Sequence, residues 1–247
     1  MIDFLVGFLL NWILFFLLFF LISFIIYTFF QYKYYVLNAD NYLIWSVNAR
    51  KSPNLTLTNH WCQILPFRNK KSPNSPQYFM LYSLHTMLVI AFQFSVSIQV
   101  HSVKNTYIST IIMNTLLLLT LIHFSQYIEH KIMHKFLYKY HKYHHHFKNP
   151  EPWDGYYVHP IEMYINLLIF FFPCLLMHKY VGLIEVLIVQ VIFYLETGFS
   201  HTGVKTGISF LDTMSTHHEL HHMYSDCNYG TLSTLCDTVF GTLYKKY

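Results

Sequence analysis

Residues 115–146 read TLLLLTLIHFSQYIEHKIMHKFLYKYHKYHHH. An apolar run leads into His130-Lys-Ile-Met-His134, and then into His141-Lys-Tyr-His144-His145. The first pair is spaced i, i+4 on one helix face, just past a candidate membrane span. The second set is spaced i, i+3, i+4. Residues three and four apart are neighbours on a helix, so each set is expected to aim its imidazoles at one point. The i, i+3, i+4 spacing returns at His218, His221 and His222, within STHHELHHMYSDCNYG at 215–230. Neutral imidazole is a good ligand for iron, zinc, copper or nickel. Eight converging imidazoles are too many for one tetrahedral zinc, which takes four ligands, or three in a catalytic site. They suit two metals with positions left open.

Composition sets the surroundings. Apolar residues make up 54% of the 247-residue chain, aromatics 19% and charged residues only 11%. A soluble domain carries about 25% charged residues, so this chain is built for a bilayer. The net charge of +4 carries no nucleic-acid signature. Of the 17 histidines, 13 lie between His130 and His222, which puts the chemistry in the second half. Cys62, Cys174, Cys227 and Cys236 show no C-x-x-C spacing and read as reduced, structural residues.

Phe4–Phe30 is an apolar run too long, and too poorly charged at its start, for a signal peptide; it reads as a transmembrane helix. Residues 31–77 form a polar connector with Pro53, Pro66, Pro73 and Pro76. Spans follow at about Tyr78–Val100 and Tyr107–Ser125. Met163–Met177 and Val181–Leu195 are shorter than the ~20 residues of a straight span. Joined by Met177-His178-Lys179-Tyr180, they read as a hairpin that enters and leaves by one face, with Pro173 expected to kink the first arm. The expected fold is an all-α integral membrane protein, with about four transmembrane helices and a helical histidine-box cap holding a di-metal site. Residues 1–121 would supply the spans and connector, and residues 122–247 the histidine-box domain.

Charge orients this arrangement. Lysine and arginine number 6 in residues 31–77, 5 in 126–162 and 3 in 196–247, or 14 of the chain's 16. Only Lys104 and Lys179 fall on the other side. The positive-inside rule then places the histidine boxes at the cytosolic face. Asn54-Leu55-Thr56 is a glycosylation sequon that this topology leaves unmodified.

His201 and His159 flank the hairpin on the same side as the boxes and are candidate further ligands. His146 and His217 adjoin the triplets and read as supporting or exposed. His85 and His123 lie in spans, and His60, His101 and His178 in loops; none is expected to ligate. Two rival readings remain. His218-Glu219-x-x-His222 fits the H-E-x-x-H pattern of a zinc metalloprotease, with Glu219 as general base, but leaves His221 and two boxes unexplained. A histidine-rich metal transporter would want ligands within the spans, near the midplane.

The ordered set H-x-x-x-H, H-x-x-H-H, H-x-x-H-H resembles the fatty acid hydroxylase/sterol desaturase superfamily, over about Ile122 to Tyr244. Further elements agree: Leu137-Tyr-Lys-Tyr-His-Lys142 before the second box, Tyr157-Val-His-Pro-Ile-Glu162, and Glu196-x-x-x-x-His201-Thr202-Gly203. Asn228-Tyr229-Gly230 and Asp237-Thr-Val-Phe-Gly-Thr242 are similar to the family's C-terminal signature. Some elements look like sterol C4-methyl oxidases and sterol side-chain hydroxylases, others like C5-desaturases. The step from His134 to His141 is about two residues shorter than usual, and Cys236 stands where the family has tryptophan. The resemblance implies a membrane di-iron enzyme that uses dioxygen, and electrons from a cytochrome b5-type donor, to hydroxylate or desaturate a lipid, above all a sterol. It implies His130, His134, His141, His144, His145, His201, His218, His221 and His222 as metal ligands, with His159 a further candidate and no catalytic residue beyond them. Zinc can stand in for iron on purification. The implied setting is the endoplasmic reticulum membrane if the source is eukaryotic.

Overall fold

A computed structural model of the chain describes residues 5–18, 20–21, 25, 76–104, 107–148, 150, 152–201 and 208–245. The connector at 31–75 with Asn54, Cys62 and His60, and Thr202 and Gly203 of the His201 element, lie outside the described residues. Among the described residues every regular element is helical. They are α1 (Leu5–Leu18), α2 (Pro76–Val100), α3 (Ile108–Phe136), α4 (Tyr138–His141), α5 (Pro160–Leu176), α6 (Leu183–Ser200), α7 (Ser209–Tyr224) and α8 (Leu235–Val239), with 3-10 turns at His144–His146 and Pro152–Tyr156.

Among these, α2, α3 and α6 are long and apolar enough to cross a membrane. At 1.5 Å per residue the 29 residues of α3 rise roughly 44 Å, against roughly 30 Å of hydrocarbon. Its last two turns, with His130 and His134, therefore have length to spare beyond a bilayer core. The helix α5 has 17 residues and stays short, as expected for one arm of a hairpin. Pro173 sits inside it without ending it, since the helix runs on to Leu176. The second arm differs from its apolar run. It does not stop at Leu195 but continues to Ser200, because Glu196 and Ser200 are buried against the protein rather than turned to solvent.

Both α2 and α3 pack on both arms of the hairpin, and α7 packs on α6. Leu118 and Ile122 of α3 meet Phe170 and Cys174 of α5, and Val186 and Val189 of α6, in one buried cluster. Met87 and Phe94 of α2 close a second cluster with Tyr156 and Tyr194. A buried hydrogen bond of 2.8 Å from Gln190 Nε2 to Ser97 Oγ ties α6 to α2. Outward, Ile112, Leu116, Leu117 and Phe124 of α3, and Leu168, Phe172 and Leu175 of α5, are exposed. Such a surface would associate in water, but it matches hydrocarbon, where helices satisfy their own backbone polar groups. Cys174, Cys227 and Cys236 are free thiols.

Candidate metal centre

The short helix α4 ends at His141, and a 3-10 turn carries His144 and His145. The second box is therefore not one continuous helix, contrary to its spacing. The third box does lie on a helix, α7. That helix ends at Ser225, whose φ of 65° is left-handed, and Asn228 follows at 57°. These two turns swing the chain back along α7, so that the carbonyl of Cys227 reaches His221.

Nine histidines meet at the junction of α3, α4, α6 and α7. His130, His134, His141, His145 and His221 form one group, and His144, His201, His218 and His222 a second; within each, one ring nitrogen per residue lies within 4.8 Å of all the others. The groups abut, for the rings of His145 and His222 stack with centroids 4.8 Å apart. Each i, i+3, i+4 box is divided between them: His144 leaves His141 and His145, and His221 leaves His218 and His222. The second and third boxes therefore do not each aim at one point, as their spacing predicts they would. Neighbouring helical residues project about 100° apart, so His221 and His222 serve different groups.

The hydrogen bonds fix the tautomers. Nδ1 of His130 meets the Tyr229 carbonyl at 2.7 Å, that of His201 the Thr197 carbonyl at 2.6 Å, and that of His221 the Cys227 carbonyl at 2.7 Å. Nδ1 of His222 meets the Phe147 carbonyl at 3.1 Å. A carbonyl can only accept, so each of these Nδ1 atoms carries the proton and each Nε2 is a bare lone pair facing inward. Nε2 contacts within the groups run from 2.9 Å (His145–His221) through 3.0 Å (His130–His141, His201–His218) to 3.4 Å (His144–His201). Two nitrogens each about 2.1 Å from one metal, at right angles, lie roughly 3 Å apart. The rings thus stand at the separation of neighbouring ligands, and inward lone pairs at that separation call for a cation. The donor set fits two borderline transition metals with imidazole ligands.

Burial holds the rings neutral. It pushes the histidines at 141, 144, 145, 218, 221 and 222 well below the ordinary range, with neighbouring imidazoles adding to the effect. His201 is pushed down to about 4 by burial, against an opposing hydrogen bond to the Thr197 carbonyl. Glu162 Oε1 stands 2.7 Å from His141 Nδ1.

Other histidines fall elsewhere. His159 joins neither group: its Nδ1 accepts the Ile161 N–H at 3.2 Å and caps α5, and its ring packs on Tyr82, Tyr140 and Tyr143. His217 donates from Nε2 to Asp237 Oδ2 at 3.0 Å, and His123 Nε2 meets Ser233 Oγ at 3.1 Å. Glu219, which the three-box reading leaves between ligands, is fully buried in α7. Asp237, at the head of the 237–242 signature, holds the 228–230 turn. Two further contributors carry no motif of their own: Gly155 leaves room for His201, and backbone carbonyls orient the rings. For Glu162 the signal was present, in the Tyr157–Glu162 element, but not its partner.

Residues 115–242, just over half of the chain, match the sequence profile described as fatty acid hydroxylase. The chain belongs to the fatty acid hydroxylase family. Among curated members, methylsterol monooxygenase 1 of Rattus norvegicus is 34% identical over 123 residues, which cover 47% of this chain and 41% of that protein. A delta(7)-sterol 5(6)-desaturase of Gibberella zeae is 33% identical over 116 residues, 44% of this chain and 34% of that protein. The matched part thus spans well under half the length of either relative. No solved structure matches the chain.

Proposed function

We propose that this chain is a membrane-bound di-iron oxygenase that hydroxylates or desaturates a lipid, a sterol above all. The observation that carries the reading is the sorting of nine converging imidazoles into two abutting groups, which asks for two cations. The names of its relatives, a methylsterol monooxygenase and a sterol desaturase, support the sterol. Iron held by the nine histidines would supply reductive activation of dioxygen. The chain's own part is to keep the rings neutral and fixed, to exclude water, and to present one C–H bond of the substrate. In hydroxylation one oxygen atom enters the substrate and the other leaves as water, with two electrons and two protons taken up. In desaturation two hydrogens leave the substrate, two electrons and two protons are again taken up, and both oxygen atoms become water. A cytochrome b5-type donor supplies the electrons. Residues 122–247 form the catalytic unit and residues 1–121 its anchor, with the histidines at the cytosolic face, of the endoplasmic reticulum if the source is eukaryotic.

The zinc-protease alternative is weaker on this geometry. His218 and His222 share their group with two further imidazoles, His144 and His201, whereas a catalytic zinc takes three protein ligands and a water. The test is metal analysis of the purified protein, followed by lipid oxidation with dioxygen and a reductant. Two irons per chain and an oxygen-dependent oxidised sterol are expected. One zinc with peptidase activity, or metal flux without turnover, would overturn the reading.

A further inference from the structure

The nine clustered rings are neutral, so divalent ions held by them alone would leave their whole charge buried and uncompensated. Such a centre calls for negative charge close by. Glu162 supplies some of it behind the ring of His141. Beside the histidine groups lies a cavity of about 90 Å³, whose wall brings His130 and His141 of one group together with His144, His201 and His218 of the other. The same wall carries Glu196 of α6 and Glu129 of α3. These two residues are 4% and 6% exposed. Oε1 of each has no hydrogen-bond partner among the described residues.

Glu196 lies in a helix long and apolar enough to cross a membrane. An ionisable side chain there is costly, and it is kept where it meets an opposite charge. None of the described residues that line the cavity is a lysine or arginine. The positive charge within reach is then that of the metal centre. Neither histidine group includes Glu196, so it faces the centre across the cavity rather than as a ligand. We propose that Glu196 is a positioning residue for the metals, a through-space counter-charge that sets how tightly they are held and at what potential they cycle. Charges attract strongly across a low-dielectric interior, so no direct bond is needed. A trivalent ion gains more from the carboxylate than a divalent one, so Glu196 favours the oxidised state and lowers the potential. This inference rests on the two-metal part of the reading above.

The test uses the full-length protein in nanodiscs without substrate, loaded with zinc in one series and iron in another. Zinc affinity is read by competition with a chromophoric chelator, and the iron potential by spectroelectrochemical titration. The wild type is expected to bind two zinc ions. Glu196→Gln keeps the shape without the charge, and is expected to bind both ions roughly tenfold more weakly. Tenfold for a divalent ion is about threefold per unit charge, so the iron potential is expected to rise by about 30 mV, at about 59 mV per tenfold for one electron. Glu196→Asp keeps the charge and is expected to stay within about threefold of the wild-type affinity. Asn166→Asp adds a carboxyl to the same wall. It is expected to shift both readouts the opposite way, and to restore them in the Glu196→Gln background. The proposal is overturned if Glu196→Gln leaves either affinity or potential at the wild-type value, which would make Glu196 a neutral acid. It is also overturned if one zinc is lost outright, the mark of a ligand, or if Glu196→Asp loses as much as Glu196→Gln, the mark of a packing residue. Should Glu196→Gln not fold, Asn166→Asp decides, and an unchanged potential there overturns the proposal. Fewer than two zinc ions in the wild type would sink the two-metal reading, and this inference with it.

Discussion

Glu162 Oε1 lies 2.7 Å from Nδ1 of His141, with both side chains buried. The bond spans 21 residues and links the second histidine box to the first turn of α5. It leaves Nε2 of His141 directed at Nε2 of His130, 3.0 Å away. A carboxylate behind a ligating histidine fixes its orientation and raises its basicity, and losing such a partner costs roughly 10–100-fold in metal affinity. Glu162→Ala is expected to show a loss of that order in competitive chelator titration. Glu162→Gln, whose amide oxygen can still accept from Nδ1–H, is expected to lose less. Equal affinity in all three proteins would show that His141 needs no support.

Asp237 acts at one remove. Its Oδ1 accepts from the Tyr229 N–H at 2.8 Å and Thr242 Oγ1 at 2.7 Å, and its Oδ2 from the Gly230 N–H at 2.7 Å and His217 Nε2 at 3.0 Å. The carbonyl of the same Tyr229 holds His130. Burial alone would raise the Asp237 carboxyl, but these hydrogen bonds, His217 first, hold it below the ordinary value of 3.8. A depressed carboxylate contributes stability that is present above its unfolded pKa and lost as pH falls through its folded one. Its contribution is thus intact at neutral pH and disappears only below about 3.8. Asp237→Ala strands four donors and is expected to cost about 3 kcal/mol or more at pH 7, read as a fall in melting temperature. The same variant is expected to bind metal more weakly, because the turn that holds His130 loosens.

Gly155 tests the second group by itself. A Cβ there would stand 2.9 Å from His201 Nδ1 and 2.9 Å from the Thr197 carbonyl, the two atoms that bond each other. The backbone of α6 cannot yield cheaply, so the His201 ring must move. Gly155→Ala is expected to lower metal stoichiometry from two towards one per chain while helical circular dichroism is unchanged. Retention of both metals would place His201 outside the ligand set.

Much of this arrangement is legible in the sequence, for identifiable reasons. Helical periodicity and apolar runs give α2, α3 and the hairpin, and box spacing marks eight of the nine clustered histidines, with His201 reached from its place beside the hairpin. The division of each box between two groups is not legible. It depends on the break between α4 and the 144–146 turn, and on the direction in which α7 is rolled against α6. The carbonyls of Tyr229, Cys227, Phe147 and Thr197 carry no side-chain signal at all, yet they set four tautomers. Gly155 matters only because the 152–156 turn packs on α6 beside His201, a tertiary fact with no local motif. Hydropathy alone stops α6 short because its final turn is polar and buried, the pattern of a helix that ends in a functional site.

Metal removal and acid should act together. The clustered histidines outside the spans have folded pKa values below the ordinary 6.5, with His201 at about 4. For a histidine lowered on folding, the unfolded chain takes up protons between the two values that the folded chain refuses. The slope of stability with pH is then positive, so acidification through 6.5 destabilises the metal-free protein until the folded rings themselves protonate. Several rings contribute at once, which makes the dependence steep. The chelated protein is expected to lose melting temperature progressively from pH 7 to pH 5. The metal-loaded protein, whose ligands cannot protonate without releasing the ion, is expected to hold its melting temperature to lower pH and then fall as metal leaves. Differential scanning fluorimetry with parallel metal analysis checks both curves. A metal-free protein equally stable at pH 7 and pH 5 would mean that these rings are neither buried nor clustered in solution.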